Sequence, residues 1–220
     1  MIDIHTHILY GVDDGSPNKD VSKYLIEEAL KNNVNKIILT PHQNEECKNG
    51  KELRERFESF KEEFKKYDIV FYLGSEIYYY PNMIKDLKTN DLLTFNDSKY
   101  VLVEFSTELE TDIASVVYDL KVSGYNPIVA HIERYHYLKL SDYDEIKNNG
   151  ALIQVNAKSF ERKPYKKQLK YLLKNNLVDF IASDCHNESR DLDFSFVKTF
   201  INKKYKKQYD KFFSDNFIFN

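Results

Sequence analysis

Short apolar segments recur along this 220-residue chain, and a stretch with helical periodicity follows most of them. The apolar segments are rich in Val, Ile, Phe and Tyr and lack strict polar alternation. This composition is typical of strands that are buried on both faces. The segments predict seven strands: Met1–Ile4, Lys36–Thr40, Ile69–Leu73, Tyr100–Phe105, Pro127–His131, Leu152–Val155 and Asp179–Ala182.

The stretches between these strands carry apolar residues at helical spacing. Asn18 is a plausible N-cap for the first helix, and Gly124 and Gly150 follow two others as C-terminal caps. Strands that alternate with helices need parallel crossovers, so the pattern predicts an α/β sheet or barrel. The predicted helices are Lys19–Asn32, Lys51–Lys66, Thr111–Ser123, Asp142–Asn149 and Lys166–Asn175.

No Gly-, Ser- or Pro-rich linker divides the chain, so we expect one domain over residues 1–220. The tail Lys203–Asn220 is rich in Lys, Tyr and Phe, and we expect it to pack on the body as a helix or strand.

Charge and cysteine content narrow the class of protein. The chain has 32 Lys and Arg against 35 Asp and Glu, a formal charge of −3 that gives no reason to expect nucleic-acid binding. Two cysteines, Cys47 and Cys185, argue against a disulfide framework and fit a reducing compartment. Neither a signal peptide nor an apolar run of about 18 residues is visible. We therefore expect a cytoplasmic globular protein with no membrane span.

Side chains that bind metals cluster where the predicted strands end. Any one of them has an ordinary explanation as a buried histidine or a helix-capping aspartate. The carboxyl ends of barrel strands form one rim, however, and in barrel enzymes that rim holds the active site. We therefore expect a metal centre formed by nine residues: His5, His7, Asp14, His42, Glu76, Glu104, His131, Asp184 and His186.

The mixture of imidazole and carboxylate favours Mn²⁺, Fe²⁺ or Zn²⁺ over ions that prefer oxygen ligands alone. His5 and His7 lie two apart on an extended strand, so both imidazoles point the same way. Asp184 and His186 repeat this spacing, which turns Cys185 away. Nine ligands exceed the needs of one ion, and two or three ions would leave open positions for substrate.

Charge points to a phosphate substrate. Five neutral imidazoles and four carboxylates carry −4, and three divalent ions would leave a surplus of +2 that attracts a phosphate dianion. Arg134 and Arg190 follow the fifth and seventh strands, where guanidinium groups could bind phosphate oxygens; a surface ion pair is the ordinary alternative.

A cysteine-based phosphatase needs five residues between the nucleophile and its arginine. Four residues separate Cys185 from Arg190, and six separate Cys47 from Arg54, so neither pair fits. A thiolate beside Asp184 would also be disfavoured electrostatically.

Several motifs together resemble the polymerase and histidinol phosphatase (PHP) superfamily. Within it, the chain resembles the bacterial manganese-dependent protein-tyrosine phosphatases of capsule and exopolysaccharide operons. The resemblance runs in order from residue 1 to about residue 190. The motifs are Ile2-Asp3-Ile4-His5-Thr6-His7, Val12-Asp13-Asp14-Gly15, Thr40-Pro41-His42, Gly74-Ser75-Glu76-Ile77, Val103-Glu104-Phe105, Ala130-His131-Ile132-Glu133-Arg134-Tyr135 and Ala182-Ser183-Asp184-Cys185-His186.

The resemblance implies a distorted seven-stranded, TIM-like (β/α)7 barrel that holds up to three Mn²⁺ ions. It implies that Arg134 and Arg190 are catalytic and bind the substrate phosphate, and that the partner is a bacterial tyrosine autokinase with a tyrosine-rich tail. The implied ligand groups are His5, His7, Glu104 and Asp184; Glu104, His42 and His131, with Glu104 bridging; and Asp14, Glu76 and His186.

The resulting hypothesis is phosphotyrosine hydrolysis without a covalent enzyme intermediate. One alternative is a phosphatase for a small molecule such as histidinol phosphate or a nucleotide, and another is a non-catalytic partner platform. Near the rim, four tyrosines could form a mouth for an aromatic ring, with core packing as the alternative: Tyr10, Tyr78, Tyr79 and Tyr135.

Overall fold

The computed structural model describes residues 1–214, which form two sheets of parallel strands. The sheet orders are β1-β2-β4 and β3-β5-β6-β7-β8-β9. The strands are β1 (Ile2–Thr6), β2 (Lys36–Leu39), β3 (His42–Gln43), β4 (Val70–Leu73), β5 (Glu76–Tyr78), β6 (Tyr100–Glu104), β7 (Asn126–Val129), β8 (Leu152–Asn156) and β9 (Phe180–Ala182).

Helices connect most of the strands, as parallel pairing requires. Short 3₁₀ turns add to them at Ile132–Arg134, Ala157–Glu161 and Lys163–Tyr165, on the loops after β7 and β8. The α-helices are α1 (Lys19–Lys31), α2 (Gly50–Phe64), α3 (Met83–Leu87), α4 (Ile113–Val122), α5 (Leu140–Asn148), α6 (Lys166–Lys174), α7 (Ser195–Lys204) and α8 (Tyr209–Phe213).

The parallel α/β class is confirmed, and all seven predicted strands and five predicted helices are present with ends within two residues of those predicted. The closed seven-stranded barrel is not confirmed, because within residues 1–214 the sheets have three and six strands and neither closes. Two of the predicted strands are each followed by an additional short strand. β3 follows β2 after Pro41, and β5 follows β4 after Gly74-Ser75. Pro41 has no N–H for the ladder, so pairing breaks there and resumes in the other sheet.

The edge strand β1 nevertheless contacts the segment that follows β9. The His7 N–H donates to the Cys185 carbonyl at 2.8 Å, and the Asp184 N–H donates to the His5 carbonyl at 2.9 Å. These two bonds bring the first and last strand ends of the chain together at one rim, without a continuous ladder between them.

The core lies mainly between the sheets and the surrounding helices. On α2, Phe57, Phe60 and Phe64 repeat every three or four residues and form its buried stripe. Fully burying a phenylalanine side chain contributes roughly 1.5–3 kcal/mol, so this stripe holds the helix on the sheet. A smaller apolar cluster that includes Ile4 and Ile128 packs between strands.

The C-terminal tail is partly described. Tyr209–Phe213 forms α8, whose Phe212 is buried in the core, so this part packs on the body as a helix; residues 215–220 of the predicted tail lie outside the described residues. Between residues 1 and 214, no helix has the length and apolar character needed to cross a membrane.

The N-cap of α1 provides a test of the local structure. The Asn18 side chain accepts hydrogen bonds from the N–H groups of Asp20 and Val21, both at 3.1 Å. We predict that Asn18→Ala lowers the free energy of unfolding by about 1 kcal/mol, because both N–H groups lose their acceptor. Asn18→Asp keeps an acceptor and serves as the control in urea denaturation. Equal stability of the two variants would contradict this assignment.

Candidate metal centre

The nine predicted ligand residues converge on one rim, which is formed by the segments that end or follow β1, β2, β4, β6, β7 and β9. His5 lies on β1 and Glu104 ends β6, while His42 and Glu76 begin β3 and β5 and are direct register partners. Eight of the nine fall into groups whose donor atoms lie within 4.8 Å of one another. These groups are His7, Asp14, His42 and His186; His5, His7, Glu76 and Asp184; and His42, Glu76 and Glu104.

The Glu76 carboxylate lies at the centre of the site and is almost fully buried. Its Oε2 is 3.0 Å from His5 Nε2 and 3.2 Å from both His7 Nε2 and His42 Nδ1. Its Oε1 is 2.9 Å from His131 Nε2, which attaches the ninth residue to the site. Four imidazole nitrogens therefore surround one carboxylate.

The groups in the structure differ from those that the resemblance implied. Glu76 shares two of the three groups, in the position that the resemblance gave to Glu104. Glu104 lies farther out, with Oε1 3.6 Å from His131 Nε2, and its side chain is partly exposed. The difference follows from register, because β5 places Glu76 directly beside His42 whereas Tyr78, not Glu76, pairs with Glu104.

Two ligand residues have left-handed backbone conformations that non-glycine residues rarely adopt. The φ angles are 27° at His131 and 54° at Asp184. Each such residue costs on the order of 1–3 kcal/mol, and residues of this kind concentrate at functional sites. Sharp bends directly after β7 and β9 thus aim both side chains into the rim.

The loop after β1 orients His7, and sequence reasoning missed one of its residues. Asp13 Oδ2 lies 2.8 Å from His7 Nδ1 and accepts a hydrogen bond from the His42 N–H at 3.1 Å. A Cβ at Gly15 would lie 2.3 Å from the His7 carbonyl oxygen, so only glycine fits there. The Asp-Asp-Gly motif therefore contains a supporting carboxylate at Asp13 and a candidate ligand at Asp14.

Strand β8 supplies two more residues that sequence reasoning missed. Gln154 Oε1 accepts from the His131 N–H at 2.6 Å and lies 3.3 Å from His5 Nδ1. Its amide donates to Asn156, whose own amide donates to Asp184 Oδ2 at 2.8 Å. The oxygen of Gln154 requires a proton on His5 Nδ1, which leaves the Nε2 lone pair free for a ligand. The sequence signal for these roles was the presence of two amide side chains, Gln154 and Asn156, in a buried strand.

The pKa shifts of the site residues indicate that its carboxylates favour positive charge nearby. Burial alone would lower the pKa of His7, but Asp13 and Glu76 outweigh burial and raise it to about 10. Burial, and then repulsion by Glu76, raise the pKa of Glu104 to about 7. Burial would raise the pKa of Asp184, but the imidazoles of His5 and His131 hold it below its usual range. The protein therefore concentrates carboxylates that need cations beside them.

The donor set fits divalent metal ions. Buried imidazoles and carboxylates converge, and the second nitrogens of His5 and His7 are held by Gln154 and Asp13. Imidazoles mixed with carboxylates suit Mn²⁺, Fe²⁺ and Zn²⁺, and oriented histidines of this kind are typical of metal sites.

Both predicted arginines lie beside this site. Arg190 donates from Nη2 to Asp184 Oδ2 at 2.9 Å, and Arg134 Nη1 lies 3.7 Å from the same oxygen. Both side chains are partly exposed, so their remaining donors can reach a bound anion. They face a cleft of about 330 Å³ whose lining is Arg134, Asn156, Lys158, Ser159, Arg162, Tyr165, Ser183, Asp184, Ser189, Arg190 and Asp191.

Cys185 and three of the four rim tyrosines make contacts away from the cleft. Cys185 is fully buried, and burial raises the pKa of its thiol well above the usual value. Tyr135 is also fully buried and accepts a hydrogen bond from the Phe105 N–H, so it belongs to the core. Tyr79 packs on Phe105 and Tyr10 donates to Glu63.

The fourth rim tyrosine differs from these three. Tyr78 is 42% exposed, so its ring is accessible to solvent.

Solved structures share this architecture. A crystal structure described for YwqE from Bacillus subtilis and CpsB from Streptococcus pneumoniae, metal-dependent tyrosine phosphatases, superposes with a TM-score of 0.86 and 29% identity, covering 93% of this chain and 87% of that one. A histidinol phosphate phosphatase from Lactococcus lactis, crystallised with zinc, L-histidinol and phosphate, matches with a TM-score of 0.60 and covers 92% of both chains. At 15% identity, the second similarity shows the fold alone.

Sequence relatives agree with the structural match. The tyrosine-protein phosphatase CpsB of Streptococcus agalactiae is 35% identical over 204 residues, which cover 85% of this chain and 83% of the relative. CpsB of Streptococcus pneumoniae is 33% identical over 237 residues, with coverage of 98% and 96%. Residues 1–218 match the sequence pattern of the family described as capsular polysaccharide synthesis, CpsB/CapC. The chain therefore belongs to the CpsB/CapC family.

Proposed function

We propose that this protein is a metal-dependent protein-tyrosine phosphatase of capsular or extracellular polysaccharide synthesis. The observation that carries the proposal is one rim where nine imidazole and carboxylate side chains meet two arginines that face the same cleft. Relatives named tyrosine-protein phosphatases cover most of the chain at 33–35% identity, which supports the same reaction here.

The proposed ligands are His5, His7, Asp14, His42, Glu76, Glu104, His131, Asp184 and His186, with Mn²⁺ as the proposed ion. Bound divalent ions would activate water and neutralise phosphate charge. The guanidinium groups of Arg134 and Arg190 bind the phosphate oxygens and stabilise the charge that develops on them. Asp184 holds both arginines in place.

The chemistry of the leaving group bears on which substrate the site can hydrolyse. A tyrosine phenolate is the conjugate base of a group with a pKa of about 10, so it leaves without a strong general acid. His136, the histidine outside the ligand set, stacks on Tyr165 with ring centroids 5.7 Å apart. The substrate is therefore proposed to be a phosphotyrosine rather than an alkyl phosphate.

The biological setting is part of the proposal. The substrate protein is proposed to be a bacterial tyrosine autokinase with a tyrosine-rich tail, and residues 1–220 to form one cytoplasmic phosphatase domain. The family's link to capsular polysaccharide synthesis and its match over residues 1–218 support this setting.

Two alternatives are less well supported. One alternative is a small-molecule phosphatase. This chain shares its fold with the histidinol phosphate phosphatase of Lactococcus lactis, but the two are only 15% identical. A non-catalytic platform would have no need for nine converging donors and two arginines, all of which this chain retains.

We predict that activity depends on metal. Exhaustive chelation should abolish hydrolysis of para-nitrophenyl phosphate, and Mn²⁺ should restore it. Glu76→Gln should lower both metal content and kcat/KM, the latter by about 100-fold or more, because Glu76 contacts four imidazoles. Glu55→Gln, at an exposed position on α2, is the matched control. Full turnover by protein shown to be metal-free by elemental analysis would refute the proposal.

We predict that the thiols are dispensable. Cys185→Ser should keep kcat/KM within about threefold, because the Cys185 side chain is buried away from the cleft and its raised pKa keeps it protonated. Thiol-alkylating reagents should likewise have little effect. A hundredfold loss with unchanged metal content would instead support a cysteine nucleophile.

We predict a preference for phosphotyrosine. In peptides that differ only in the phosphorylated residue, kcat/KM should be at least about 100-fold higher for phosphotyrosine than for phosphoserine, because an alkoxide leaves less readily than a phenolate. Histidinol phosphate, assayed in parallel, tests the small-molecule alternative. Equal values for the two peptides, or a higher value for histidinol phosphate, would refute the tyrosine-phosphatase proposal.

A further inference from the structure

Positive charge is concentrated in the last quarter of the chain. Residues 158–214 contain 14 Lys and Arg against 7 Asp and Glu, whereas residues 1–157 contain 18 against 27. The small net charge of −3 is therefore the sum of an acidic part and a basic part of the chain. The basic part includes the loops after β8 and β9 at the catalytic rim.

Four cations form a continuous exposed surface that we call the basic ridge: Arg162, Lys163, Lys166 and Lys167. Arg162 lies between the two 3₁₀ turns after β8, Lys163 begins the second turn, and Lys166 and Lys167 begin α6. Within residues 1–214, none of the four is ion-paired, whereas the neighbouring Lys158 is neutralised by Asp191 and Asp193 at 3.2 and 3.3 Å. The ridge therefore keeps its charge available to a partner.

Stability of the fold gives no reason for these charges. Lys166 and Lys167 occupy the first turn of α6, where the helix dipole disfavours cations, and that turn contains no acidic residue. Four like charges within six residues also repel one another. An anionic partner would relieve both costs.

The ridge begins at the wall of the phosphate cleft. Arg162 and Tyr165 line the same cleft as Arg134 and Arg190. Tyr165 and His136 stack with their planes within 5° of each other and form a flat aromatic surface beside the cleft. A peptide whose phosphate lies between the two arginines can therefore extend directly onto the ridge.

Loops that follow other strands carry exposed acidic residues. The loop after β6 exposes Glu108 and Glu110, and the loop after β3 exposes Glu45 and Glu46. These carboxylates repel acidic side chains, while the ridge attracts them. Opposite charges on different loops favour one orientation of a charged peptide.

We propose that the basic ridge binds acidic side chains on one side of the phosphotyrosine, so that the preferred substrates are phosphotyrosines within acidic segments. This inference rests on the proposed phosphatase function and adds a specificity surface to it. Arg162, Lys163, Lys166 and Lys167 act on substrate affinity, not on the chemical step.

The test uses the full-length protein with Mn²⁺ and three phosphotyrosine peptides of equal length. One carries three Glu residues before the phosphotyrosine, one carries them after it, and the third has Gln throughout. One Glu peptide should exceed the Gln peptide by about tenfold in kcat/KM, through a lower KM, and the advantage should shrink in 0.5 M NaCl. Equal kcat/KM values for all three would overturn the inference.

A variant in which Gln replaces cations of the ridge tests whether the ridge causes this preference. In K163Q/K166Q/K167Q, which keeps the cleft-lining Arg162, the Glu peptide should lose its advantage, while kcat on para-nitrophenyl phosphate stays unchanged. The control K51Q/K65Q/K66Q removes the same number of lysines from exposed positions on and just after α2 and should keep the advantage. An advantage that survives in the ridge variant would overturn the assignment.

Two further results separate this inference from its rivals. If the protein hydrolyses neither the Gln peptide nor para-nitrophenyl phosphate, the proposed phosphatase function itself fails. If the ridge variant loses binding to phosphatidylserine vesicles but keeps its peptide selectivity, the ridge is a membrane surface and the peptide inference is overturned.

Discussion

The rest of the site depends on burying Glu76 among four imidazoles. A carboxylate removed from water is costly unless charges and hydrogen bonds compensate it, and here His5, His7, His42 and His131 lie 2.9–3.2 Å from its oxygens. The imidazoles of His5 and His7 come from the end of β1, and those of His42 and His131 come from two other strand ends. The arrangement therefore exists only when all of these strand ends are in register.

Much of the surrounding structure holds these groups in position. Asp13 and Gln154 hold the second nitrogens of His7 and His5, which fixes which nitrogen faces the centre. Gly15 permits the close approach of the loop to His7. The left-handed conformation at Asp184 is a local cost that turns its carboxylate toward both the imidazoles and the arginines.

Electrostatics link this centre to the surface around it. The buried carboxylates attract cations. Arg134 and Arg190 lie beside Asp184 with their side chains partly exposed to solvent. The loops after β3 and β6 expose acidic residues, and the basic ridge after β8 exposes cations. This charge pattern fits the phosphate-binding role proposed for the two arginines and the orientation proposed for a longer substrate.

The sequence by itself determined the strands, most helices and the set of metal-ligand candidates, because apolar periodicity and residues at strand ends are local properties. Tertiary structure decided how the sheets pair, since pairing breaks at Pro41 and Gly74 depend on neighbouring strands. It also decided that Glu76, rather than Glu104, is central, and it revealed the supporting roles of Asp13 and Gln154. Register and hydrogen bonds between distant segments set these features, and a linear pattern does not contain them.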